Sequence, residues 1–164
     1  MLLFAGAASG WAQPRSDWER EEAERNWREV EAAPPAFPQR ADWLVFHVDA
    51  ASEFRFYVDR GSLSVGSDRV VRFVLVAVSP FGAENISFEG LRCDKKEHKT
   101  YTTGRADRSW SRREGPWRRG TQRWQTVLRS EFFCPQGVTI ASPAEGIDAL
   151  RRGGHPNKGH VSYD

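Results

Sequence analysis

RVVRFVLVAVS, Arg69–Ser79, is an almost unbroken run of apolar, mostly β-branched side chains, and its reading decides the fold. The run is rich in β-branched residues that suit a pleated surface. A strand with no polar face belongs in the middle of a sheet, covered on both sides. Before it the period is two: Leu44, Phe46 and Val48 share a face in WLVFHVD, and Phe54, Phe56 and Val58 do so in FRFYVD. RGSLSVGSD, with two glycines and brief alternation, predicts a hairpin edge. Its GSLSVG portion, Gly61–Gly66, predicts a turn, because Ser62 stands where a nucleophile elbow around Ser64 would need glycine.

After the central run, Pro80-Phe81-Gly82 turns the chain into AENISFEGLRC. There Ile86 and Phe88 alternate as far as Gly90, and Leu91 and Cys93 then take the opposite parity, which predicts a β-bulge at the glycine. HKTYTT predicts a further short strand. Helices flank this array. Ser16-Asp17-Trp18-Glu19 is a capping box, predicting a charged helix to about Val30 that anchors through Trp18 and Trp27. Pro34, Pro35 and Pro38 end it and open an extended linker. Trp124, Val127, Leu128 and Phe132 form an apolar stripe on a second helix, Gln122–Phe133. Ser142-Pro143-Ala144-Glu145 starts a third, which Arg151, Arg152 and Gly153 close.

The expected fold class is α+β, an antiparallel sheet of about five or six strands with helices packed on one side. Residues 41–152 form the single domain, after a charged helix and proline-rich linker over 13–40, and residues 153–164 form a flexible tail. MLLFAGAASGWA, residues 1–12, has the apolar run and small terminal residues of a signal-peptide remnant, although no Lys or Arg precedes Arg15. Nothing after Ala12 approaches the ~18 apolar residues of a membrane span, so no transmembrane segment is expected in the mature chain. Net charge is only +2 over 164 residues, which gives no global attraction to nucleic acid.

GLRCDKKEHKTY, Gly90–Tyr101, gathers Cys93, Asp94, Glu97 and His98. Zinc would need four ligands, yet the chain has two cysteines and no Cys-x-x-Cys pair. A reactive thiol would need a base such as His47 or His98 beside it in space. Two cysteines in an exported chain favour a disulfide, Cys93 with Cys134, pinning the end of the second helix to the sheet. The stretch from Val58 to Trp110, above all Ser79–Cys93, resembles the core of the cryptic neisserial protein (CNP1-like) family, small exported proteins of Gram-negative bacteria. The resemblance extends to Trp124 and to Phe133-Cys134. It implies a shared fold and periplasmic or other envelope localisation, and carries over no catalytic residue.

RADRSWSRREGPWRRGTQRW, Arg105–Trp124, holds seven arginines, Arg105, Arg108, Arg112, Arg113, Arg118, Arg119 and Arg123, with Trp110, Trp117 and Trp124. Guanidinium groups interleaved with indoles suit an anionic surface. Equally, the tryptophans pack back on the domain and leave an exposed arginine loop. The expected function is non-enzymatic: an exported protein that binds or supports another envelope component, whether a protein, anionic lipid or lipopolysaccharide, without cofactor, metal or nucleic acid. The alternative is an enzyme pairing His47 or His98 with Asp59 or Glu89. His155 and His160, in the tail, lack a scaffold that would make them metal ligands.

Overall fold

The computed structural model describes residues 16–112 and 114–158. The signal-peptide remnant, Arg113 and His160 lie outside these residues. Six strands run β1 (Trp43–Phe46), β2 (Arg55–Val65), β3 (Val70–Val78), β4 (Glu84–Arg92), β5 (Glu97–Thr103) and β6 (Arg118–Arg119). They lie in one sheet in chain order, every neighbouring pair antiparallel. The fold is α+β, and the Arg69–Ser79 run supplies β3, buried from Val70 to Val76.

The two faces of β3 enter two different cores. Val71, Phe73 and Leu75 point into a large core with Phe46, Val58, Leu91, Leu128, Phe132 and Phe133. The lid of that core is α2 (Arg123–Val127), which continues into a π turn over Leu128–Phe133, together with α3 (Pro143–Arg152) lying across β1, β2 and the π turn. Ser142 caps α3 by accepting from the Glu145 N–H, and Gly153 ends it in the left-handed conformation at φ 76°. Val74, Val76, Ile86 and Phe88 point the other way, where no helix covers them. A strap from Trp27 to Gln39 and the loop after β5 close this face with Phe37 and Trp110, beside Tyr101 of β5.

Several local expectations are corrected. The first helix, α1, spans Asp17–Asn26, has its capping box, and buries no residue; Trp18 is 63% exposed, so only Trp27 anchors. The Gly61–Gly66 stretch is not a turn, since most of it continues β2 through an irregularity between Asp59 and Ser64. There the Ser62 hydroxyl accepts from the Val74 N–H and donates to the Asp59 carbonyl, both at 2.7 Å, which replaces the interrupted ladder. Nor does β4 bulge at Gly90: it pairs with β3 without a break, and its two parities are two buried faces. Gly90 is instead a point of close approach, where a Cβ would stand 2.8 Å from the Tyr101 ring. The bulge is in β5, where Tyr101 is the extra residue between Thr100, opposite Glu89, and Thr102, opposite Phe88.

Candidate functional site

The cluster of Cys93, Asp94, Glu97 and His98 is divided by the fold. Cys93 and Cys134 are joined, with Cα atoms 5.5 Å apart, so the zinc and reactive-thiol readings of Cys93 fall away. Asp94 is exposed, while Glu97 lies 3.6 Å from the Arg92 guanidinium. His98 is 4% exposed and packs edge-on to Trp124; neither ring nitrogen makes a well-formed hydrogen bond among the described residues, the Gln125 backbone having only a minor influence on the ring. Burial, reinforced by the Arg129 charge, pushes its imidazole down to about 4.

Among the described residues, neither His47 nor His98 is hydrogen-bonded or ion-paired to Asp59 or Glu89. His47 is exposed and borders one cavity; Glu89 is buried and borders another. Glu89 accepts from the Thr100 hydroxyl at 3.0 Å, and burial raises its carboxyl above the ordinary range. Asp59 is 5% exposed, raised by burial and accompanied by Ser62 rather than by a histidine. Among the described residues, no three His, Cys, Asp or Glu side chains gather to hold a metal ion. His155 is not frayed: its ring lies 2.8 Å from Glu145 Oε1, and its N–H donates to the Glu131 carbonyl at 2.7 Å.

The Arg/Trp segment divides cleanly between rings and charges. Trp110 stacks on Phe37 at 5.0 Å and donates to the Pro35 carbonyl, Trp117 meets Trp27 edge-on and donates to Glu29, and Trp124 is 8% exposed in the main core. Arg108 lies over Phe37 and donates to the Pro38 carbonyl, and Arg123 pairs with Asp49 at 3.2 Å. Arg105, Arg112, Arg118 and Arg119 are exposed, and none has an ion pair among the described residues. Backbone bonds from Ser111 to Thr103 and from Gly115 to Thr100, both 2.8 Å, and the pairing of β6 set Ser111, Gly115, Arg118 and Arg119 against β5 at the outer border of the sheet. Arg118 and Arg119 thus lie on the edge strand itself, and Arg112 follows Ser111 at the other end of β5.

Sequence reasoning missed what holds the strap. Glu29 accepts from the Tyr101 hydroxyl at 2.6 Å, Lys99 at 2.9 Å and the Trp117 indole at 3.1 Å. Burial opposes its charge, yet these donors outweigh burial and hold it below the usual carboxylate range. Next to it Arg72, 3% exposed, grips Asp68 with both terminal nitrogens and donates to the Val30 carbonyl, while Asp68 accepts the Val30 N–H. Arg92 completes the row with its guanidinium 3.9 Å over Trp27. The signal was present in the central run: an arginine inside an apolar strand demands a buried partner.

A family model described as the CNP1-like family matches residues 22–151. The chain belongs to the CNP1-like family. The match takes in the strap, all six strands, both cysteines and the arginine edge, so the CNP1-like unit includes the segment that covers the second face. No curated protein and no solved structure matches. No helix among the described residues of this CNP1-like chain is long and apolar enough to cross a membrane.

Proposed function

We propose that this protein is an exported, non-catalytic binding protein of the cell envelope that presents the arginine-lined edge of its sheet to an anionic component, lipid or lipopolysaccharide phosphate. The observation that carries this reading is the division within the segment. Its indoles are committed to packing, while Arg105, Arg112, Arg118 and Arg119 stay exposed with no ion pair among the described residues, although Asp107 lies near Arg105 and Glu97 stands opposite Arg119. Charged side chains on an outer strand also prevent edge-to-edge pairing. That role needs only one or two charges; four on the edge and the adjoining loop offer repeated contacts to a phosphate-bearing surface. The disulfide and the family membership support export.

Sedimentation with vesicles containing anionic phospholipid tests the reading. The wild-type protein should co-sediment at low salt and release as salt screens the contact. Replacing Arg105, Arg112, Arg118 and Arg119 together by Ser should abolish co-sedimentation and leave the melting temperature unchanged. Equal binding by the wild type and the quadruple variant would remove this function.

A further inference from the structure

A cavity of about 940 Å³ opens beside β1, at the other end of the strand order from the arginines of β6. Its apolar lining includes the buried Phe46, Val48, Phe132 and Leu150 with half-buried Phe56. Val45 and Phe54 also border it and are 60% and 40% exposed. The volume falls inside the ~300–1,000 Å³ of small-molecule sites, where an apolar lining binds and a few polar groups orient.

The charges around the cavity do not balance. Asp49 and Glu131 border it, and each already has a cation, Arg123 at 3.2 Å and Lys158 at 3.6 Å. Arg152 is held by Asp148 at 2.8 Å. Arg55 and Arg151 border the same cavity, are exposed, and have no ion pair among the described residues. Cations in the last turn complement a helix dipole, which would account for Arg151 as well as Arg152. Arg55 opens a strand, where no helix end explains it.

We infer that this cavity binds a single-chain anionic amphiphile, a free long-chain carboxylate, with its hydrocarbon on Val45, Phe54 and Phe56 over the buried Phe46 and Leu150, and its head group at Arg55 and Arg151. An apolar floor alone would take any oily molecule; the two uncompensated guanidinium groups select a negative head. This site is separate from the sheet edge, and either can fail without the other.

The test is fluorescence titration of the whole protein with a dansyl-labelled fatty acid, followed by displacement with palmitate or with hexadecanol, which has the same chain and no charge. The expected result is saturable, blue-shifted emission that palmitate reverses and hexadecanol does not. The double variant R55S/R151S should weaken palmitate about tenfold or more, the effect of losing two solvent-accessible charge contacts. Ala50→Trp, at an exposed residue of the cavity wall, should block binding with the arginines intact. The four-arginine edge variant should bind palmitate as the wild type does. Absence of a saturable signal, equal displacement by the alcohol, or undiminished affinity in either cavity variant overturns the assignment.

Discussion

His98 provides the most quantitative test of the structure. Its imidazole is buried with neither nitrogen in a well-formed hydrogen bond among the described residues, and burial plus the Arg129 charge lowers it from 6.5 to about 4. The unfolded chain therefore takes up this proton first as pH falls, and folding loses stability from about pH 6.5 downward until the folded form titrates near 4. Linkage between those two values gives a loss of about 1 kcal/mol on going from pH 7.5 to 5.5, growing to ~2–3 kcal/mol at pH 4.5. The perturbation is His98→Phe, which keeps a ring against Trp124 and removes the titrating group; His98→Leu serves if the larger ring does not fit. Urea unfolding at pH 7.5 and 5.5 measures the difference. Wild type should lose about 1 kcal/mol more than the variant over that interval, a window chosen above the range in which paired carboxylates titrate. At pH 7.5 the variant should also gain stability, since two buried unsatisfied atoms disappear. Equal losses in both proteins would mean that His98 is not held neutral by burial, and the reasoning fails.

The remaining predictions concern the crosslink, the strap and Glu89. Replacing Cys93 and Cys134 by Ala should cost ~4 kcal/mol in guanidinium unfolding, the chain-entropy value for partners 41 residues apart, and reductant should reproduce that loss in the wild type alone. Glu29→Ala leaves Tyr101, Lys99 and Trp117 without their shared acceptor and should cost about 3 kcal/mol, with new protease cleavage between Trp27 and Gln39. Because Glu29 is held below its ordinary value, its contribution is present above pH 4.5 and fades as the solution becomes more acidic. Glu89 behaves oppositely: its folded carboxyl is raised, so its contribution is best below pH 4.5 and is lost as pH rises through the folded value. Glu89→Gln should therefore melt higher than the wild type at pH 8, with the gap closing toward pH 4.

The sheet was legible because its signal is local and periodic. The Arg69–Ser79 run lies in the middle of the chain-order meander, and the helix start at Ser142 follows from capping chemistry carried by neighbouring residues. The crosslink was legible because two cysteines allow only one intramolecular pairing. The strap was not, because its fixation is long-range and polar: Glu29 meets Tyr101 across 72 positions, and no periodicity connects them. A proline-rich stretch reads as linker whether or not a sheet face lies under it. Parity misled at Gly90 for a related reason, since alternation identifies an inside only when one face is exposed. The Arg/Trp segment left two readings open, and packing distributes them by residue type: indoles inward, most guanidinium groups outward.

The strap face also explains why a small domain would bury Arg72, Arg92 and Lys99. Each such charge costs several kcal/mol to desolvate, and replacement by well-packed apolar side chains is often no worse for stability. The strap itself supplies few apolar groups, chiefly Trp27, Ala32, Phe37 and Pro38, and apolar contact alone would tolerate sliding along the sheet. Glu29 can satisfy Tyr101, Lys99 and Trp117 at only one position along the strap, and Val30 can join Asp68 and Arg72 through both its N–H and its carbonyl only there. The buried charges thus fix register where hydrophobicity cannot. The same register brings Trp27 against Trp117, so that placement of the strap also sets the segment leading into the arginine edge.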